Sequence, residues 1–294
     1  MCGLVGLLAG RQPKRRLKDI EALTDVFTSL LLLSEHRGPH ATGVAWVKRN
    51  GSMQVAKEPL PARQFVQSGA YLDWLLGVDR EITYLMGHTR WPSHGSVLNP
   101  ANNHPLVTTV PTLDQTRPAL QAIDQSHTAM GSLALTHNGS LRAWERYFSR
   151  LQLPRTTQVD SELLARIAQR YTGAAGIDLD AVLTALSPLD GSMSLSLVAT
   201  TRPEEIILLK GNMPLEVRIQ PRTRVLVYAS EDRILDRALT GESGWEALPL
   251  AYGEGLVVDT QTWTHRRVPF TFQGLNTIAG ASYTSAITNK ERQR

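Results

Sequence analysis

The chain is poor in cysteine, in aromatic residues and in long apolar runs, and each shortage excludes something. Cys2 is the only cysteine among 294 residues. An internal disulfide framework is therefore excluded, and nothing points to an oxidising compartment. Aromatic residues make up 6% and the net charge is +4. With basic pairs scattered and no aromatic stacking pattern, no nucleic-acid partner is expected, and the basic cluster at residues 11–18 reads as a solvated loop. The longest apolar run, Leu30-Leu31-Leu32-Leu33, is far shorter than a membrane span. Lys14, Arg15, Arg16 and Lys18 follow the first apolar stretch instead of preceding it, which is not the order of a secretory signal. The expectation is a cytoplasmic protein with no membrane partner. What remains is ordinary: 42% hydrophobic and 20% charged residues, in a chain long enough to bury a real core.

Periodicity gives a coarse map. Residues 2–9 read as a buried strand. Helical spacing runs over 17–36 through Ile20, Leu23, Phe27, Leu30, Leu31 and Leu33. Asn50-Gly51 marks a hairpin between strands 41–48 and 52–57. A helix is expected at 62–76, a central strand at 82–89, and a strand at 131–137 ending in a turn at Asn138-Gly139. Helices are expected at 141–151, 160–171 and 178–187. Strands follow at 192–200, 204–210, 215–219, 224–229, 245–250 and 255–268, interrupted by a helix at 231–239. Strands at both ends with helices between predict an α+β fold of two stacked, mostly antiparallel sheets covered by helices. One domain is expected over residues 2–270. Residues 108–129, polar and holding Pro111 and Pro118, read as a long inserted loop. Residues 271–294 read as a polar tail.

The chemistry starts at Cys2. A small residue after Met1 favours removal of the methionine. Cys2 would then carry a thiol and a free α-amine, a nucleophile with its own base attached. Taken alone, a cysteine at position 2 is also an ordinary occurrence. Other blocks give it company: Arg37-Gly38-Pro39-His40-Ala41-Thr42-Gly43, Gly87-His88-Thr89-Arg90-Trp91-Pro92-Ser93-His94-Gly95, His137-Asn138-Gly139-Ser140 and Asp160-Ser161-Glu162. Later segments agree in outline: Asp190-Gly191-Ser192, Lys210-Gly211-Asn212-Met213-Pro214-Leu215 and Ala229-Ser230-Glu231.

In this order the blocks resemble the glutaminase domain of class II glutamine amidotransferases, over residues 2 to about 260. The resemblance implies the four-layer αββα sandwich of N-terminal nucleophile hydrolases. It implies that Cys2 attacks the side-chain amide of L-glutamine, that its amine serves as base and then acid, and that the Asn138 side chain and Gly139 N–H form the oxyanion hole. Arg90 suits the α-carboxylate of glutamine and Asp160 its α-ammonium. Ser93 and His94 would help to hold the carboxylate, and Trp91 would ride on a loop that closes over the substrate. Asp160 is equally placed to cap the helix that follows. No cofactor is implied. The spacing of His88, His94, His104 and His137 fits no zinc pattern, so no metal is expected.

Two departures stand out. His40 occupies a position that is commonly acidic in the family. Pro92 follows the Arg-Trp pair where a small residue is usual, and it restricts Trp91. No acceptor site is legible, so the expectation is a glutaminase without a fused synthase domain, passing ammonia to a separate synthase subunit. Two rivals remain: an N-terminal nucleophile hydrolase for another amide, and a catalytically silent binding subunit.

Overall fold

A computed structural model describes residues 2–110 and 131–275. In chain order its elements are β1 (Gly3–Ala9), α1 (Leu17–Leu33), β2 (Ala41–Lys48), β3 (Met53–Glu58), α2 (Ala62–Phe65), α3 (Gly69–Leu76), β4 (Ile82–Arg90), β5 (Leu106–Thr109), β6 (Ser132–Leu141), α4 (Trp144–Arg150), α5 (Ser161–Arg170), β7 (Thr172–Gly173), β8 (Gly176–Ile177), α6 (Leu179–Leu186), β9 (Gly191–Ala199), β10 (Glu205–Lys210), β11 (Glu216–Gln220), β12 (Val225–Ala229), α7 (Asp232–Ala238), β13 (Glu246–Ala247), β14 (Glu254–Asp259) and β15 (Thr264–Pro269).

One sheet has the order β13-β11-β12-β1-β4-β2-β3 and the second β15-β14-β10-β9-β6-β5. All strand pairs within these two sheets are antiparallel. Strand alternation sorts their side chains into three cores. On β1, Val5, Leu7 and Ala9 face α1, α3 and α7, whereas Leu4 and Leu8 face the second sheet. On β6, Leu133 and Leu135 face α4, α5 and α6, and Ala134 faces back between the sheets. Period-two alternation with both faces apolar is the signature of a sheet covered on both sides. The outcome is the expected α+β arrangement, helices–sheet–sheet–helices. The burial that drives it contributes about 25 cal/mol per Å² of apolar surface removed from water.

Local differences from the sequence-based map have identifiable causes. The helix expected at 62–76 breaks in two, because the Ser68 hydroxyl accepts from Tyr71 N (3.3 Å) and caps a new helix. The strand expected at 255–268 is a hairpin: Asp259 Oδ1 accepts from the amides of Gln261 and Thr262, both at 2.8 Å, and turns the chain. The strand expected to stop at 137 continues to Leu141, since β9 pairs along its whole length. Asn138-Gly139 is therefore strand and not turn. Of the stretch 245–250 only Glu246–Ala247 is strand, with Leu248 N donating to Val217 O beyond it. Thr108 and Thr109 belong to β5, so the expected loop starts later, and its residues 111–129 lie outside the described residues. Phe270 and Phe272 are buried in the core, so packing extends past the expected boundary at residue 270. Residues 276–294 of the expected tail also lie outside the described residues. Among the described residues, no helix is long and apolar enough to cross a membrane.

Candidate active site

Cys2 stands at the head of β1, the central strand of its sheet. The first pair of the ladder, Gly3 with Thr89, allows no side chain at position 3: a Cβ there would lie 2.5 Å from Thr89 Oγ1. The other flank of β1 is secured by Ser230, whose hydroxyl accepts from Leu4 N (2.8 Å) and whose amide donates to Leu4 O (2.9 Å). The thiol is thereby delivered to the end of β4, where Trp91 N donates to Cys2 Sγ at 3.4 Å. Burial pushes the Cys2 thiol above its ordinary pKa; the Trp91 amide and the Arg90 charge act in the opposite direction, and Asp160 adds to the rise. The thiol therefore needs a base to become a nucleophile at neutral pH.

The Cys2 carbonyl is held twice. Arg37 Nε donates to it at 2.9 Å. The hydrogen-bond network orients the Asn138 amide so that Nδ2 donates to the same oxygen at 3.1 Å while Oδ1 accepts from Arg37 Nη2 at 3.3 Å. Arg37 is itself buried and paired with Glu231. Burial would raise the Glu231 pKa, but hydrogen bonds from Arg37, Arg233 and His36 bring it down to about 2. The chain Glu231–Arg37–Asn138 thus fixes the amide group beside Cys2. One Nδ2 proton is used by Cys2 O; the amide has a second to offer.

Gly139 continues β6 past Asn138 with φ of +150°. A Cβ at this position would lie 2.0 Å from Ser192 O and 2.6 Å from His137 Nε2, so only glycine brings this backbone so close to β9. His137 sits beneath. Its Nε2 donates to Ser192 O (3.2 Å), because a carbonyl only accepts, and its Nδ1 therefore accepts from Ser161 Oγ (2.8 Å). Burial lowers its pKa, against the opposing effect of Asp160.

The expected substrate residues line the same cleft. It encloses about 250 Å³, counting space open to solvent, between Cys2, Arg90, Trp91, Ser93, His94, His104, His137, Gly139, Val159, Asp160 and Ser161. Asp160 caps α5 through Oδ1, which accepts from Ser161 N at 2.9 Å, and its Oδ2 accepts from Leu141 N at 2.7 Å. Arg90 is buried, with Nη1 on Asn103 Oδ1 (2.6 Å) and Nη2 on the carbonyls of His94 and Gly95. Its fork holds the 94–103 loop in this structure, so a carboxylate would have to take over contacts now made by backbone oxygens. Trp91 is half exposed and meets the His40 ring edge-on, with centroids 4.9 Å apart. The His94 ring packs against Trp144 at 5.9 Å.

Several site residues were not assigned a role from sequence. Arg37 and Glu231 lie in the family blocks, but a contact between residues 194 positions apart has no sequence signal. His104 is buried in the cleft wall with neither ring nitrogen hydrogen-bonded. Its ring lies 4.2 Å from that of His88, whose pKa burial lowers to about 3. Among the described residues, no group of three or more His, Cys, Asp or Glu side chains is placed to hold a metal ion.

Known proteins are similar to this chain in sequence or in fold. The glutamine–fructose-6-phosphate aminotransferase (isomerizing) of Idiomarina loihiensis is 24% identical over 262 residues, covering 80% of this chain and 35% of the relative. That of Aquifex aeolicus is 28% identical over 222 residues, covering 74% and 30%. The chain therefore matches only about a third of the length of these relatives. Among solved structures, the glutamine phosphoribosylpyrophosphate amidotransferase of B. subtilis, complexed with ADP and GMP, superposes with a TM-score of 0.63 at 20% identity, covering 92% of this chain and 49% of that one. No family model matches the chain. The resemblance read from the motifs and the fold it implied are both borne out.

Proposed function

We propose that this chain, an enzyme of the class II glutamine amidotransferase type, hydrolyses the side-chain amide of L-glutamine through a thioester on Cys2. One observation carries the reading. The thiol at the head of β1, Gly139 of β6 and the opposite charges of Arg90 and Asp160 all line one cleft, and the Asn138 amide braces the Cys2 carbonyl behind it. Removal of Met1 leaves the α-amine of Cys2 as the base that takes the thiol proton. The thiolate attacks the δ-carbonyl of glutamine. Asn138 Nδ2 and Gly139 N–H receive the developing oxyanion, an interaction worth roughly 10²–10³ in rate per donor. The same amine, now protonated, gives its proton to the leaving ammonia. Water then attacks the thioester and releases glutamate. Asp160 holds the α-ammonium and Arg90 the α-carboxylate, with Ser93 and His94 beside it. Trp91 closes over the bound substrate.

The ammonia goes to a synthase. The curated relatives are aminotransferases about three times as long as the matched region, which supports an acceptor site outside the residues described here. The Trp91 loop is the expected contact.

The test is glutamate release from L-glutamine by protein whose N-terminus is shown by mass spectrometry to be Cys2. Release that disappears in Cys2→Ala supports the reading. Equal turnover of N-acetylglutamine would refute it in favour of another amide, because the Asp160 contact requires a free ammonium.

A further inference from the structure

We propose that the end of the two sheets opposite the cleft binds an oxyanion of the phosphate class between Arg15 and Arg49. This inference does not depend on the reaction assigned above. The basic segment 11–18 is not the wholly solvated loop that its composition suggests, because Arg15 is 93% buried (7% exposed). Its Nη2 donates to Thr223 O at 3.2 Å. Arg49, just beyond β2, reaches the same region, and its Nη2 donates to Ala9 O at 3.3 Å. Ala9 pairs with Val225, so the two anchoring carbonyls sit at the ends of adjacent strands. The other terminal nitrogen of each guanidinium, Nη1 of Arg15 and Nη1 of Arg49, is buried and has no hydrogen-bond partner.

Countercharge is missing as well. Among the described residues neither arginine forms an ion pair. Of the nearby carboxylates, Asp19 is paired with Arg16 at 3.4 Å and Glu204 with Arg202 at 3.8 Å. Glu81 and Glu204 act on Arg49 only through the field. Burial, together with the charge of Arg49, pushes the Arg15 pKa down to about 10. A third guanidinium lies close by, where Arg224 Nη1 donates to Arg11 O at 3.1 Å.

Burying like charges with unmade N–H bonds is costly unless a partner arrives. Two guanidinium groups, each anchored through one terminal nitrogen with the other left unbonded, offer charged donors to a tetrahedral oxyanion. The site is remote from Cys2: the length of β1 separates them, about 20 Å at ~3.3 Å per residue. A ligand here acts on stability or regulation, not on chemistry.

The experiment is thermal unfolding of the full chain in a series of inorganic phosphate, each point matched by NaCl of equal ionic strength, for the parent protein and for Arg49→Gln. A saturating rise in Tm with phosphate beyond the NaCl series, and an apparent affinity at least tenfold weaker in Arg49→Gln, is the expected result. Glycerol phosphate run alongside separates sources: a matching rise supports a site open to phosphorylated metabolites, and a rise with inorganic phosphate alone supports one for the free ion. An equal rise in Arg49→Gln, or none beyond the NaCl series, overturns the proposal. Arg49 is only partly buried, so this variant keeps the core intact. Phosphorus NMR line broadening of inorganic phosphate on the folded variant provides a second readout that needs no unfolding.

Discussion

β1 ends in a polar cluster at each terminus, and the two are built on different electrostatic plans. At the Cys2 end every cation has partners. Arg37 is shared between Glu231, Asn138 and the Cys2 carbonyl, and Arg90 is bonded to loop carbonyls and Asn103. At the Ala9 end Arg15 and Arg49 each keep a buried N–H group unmet. Satisfied networks hold geometry, and geometry is what a nucleophile beside an oxyanion site requires. Buried N–H groups left unmet carry a cost, and the ligand proposed for that end would offset it.

The comparison breaks first at Asn138. Asn138→Ala removes both the proposed oxyanion donor and a brace of the Cys2 carbonyl, so kcat for glutamate release should drop by about 10²–10³ with KM much less affected. Steady-state kinetics on processed protein checks this, and a KM effect alone would show that Asn138 merely binds. Gly139→Ala comes next. The added methyl cannot avoid the Ser192 carbonyl, so a loss of about 1–3 kcal/mol in stability, together with lost activity, is expected in denaturant titration.

Glu231→Gln sharpens the comparison. It keeps an acceptor for Arg37 but removes the countercharge, and should cost about 1–3 kcal/mol. The pH dependence gives the sign. Glu231 has its folded pKa lowered from 4.5 to about 2, so its contribution is fully present above 4.5 and fades as pH falls through about 2. Urea unfolding between pH 6 and 2 should therefore show a steeper acid loss in the parent protein than in Glu231→Gln. The smallest effect is spectroscopic. His88, with a pKa near 3, favours folding above its ordinary pKa of 6.5, and that advantage declines as pH falls towards 3. Its imidazole NMR signals should stay those of the neutral ring down to about pH 4; titration near 6.5 would mean that the inter-sheet site is wet.

Much of this was legible beforehand, and what was not has a common cause. Strand alternation in β1, β4, β6 and β9 and the apolar stripe of α1 are local patterns, so the two covered sheets could be expected. The capping role of Asp160 was also visible, because Ser161 and Glu162 follow it directly. Asn and Gly favour turns, which makes an end of the strand at residue 137 the local expectation; pairing with Ser194 and Met193 on β9 overrides that preference. The hairpin at Asp259 has little local signal because Val257, Val258, Thr260, Thr262, Trp263 and Thr264 around it all favour strands, and only an Asx turn divides them. Arg15 was read as solvated because a run of basic residues carries no mark of which member turns inward.

The sequence by itself determined the element types and the set of groups that the chemistry needs, since periodicity and residue chemistry act over neighbouring positions. It also offers the proposed nucleophile, since Cys2 is the one cysteine of the chain. The tertiary structure alone decided which groups share a cleft and which charges have partners. Glu231 reaches Arg37, and Arg49 comes near Arg15, only after antiparallel pairing has stacked distant strand ends side by side. Such contacts depend on register and on the closing of long loops, and neither is written in any short stretch of the chain.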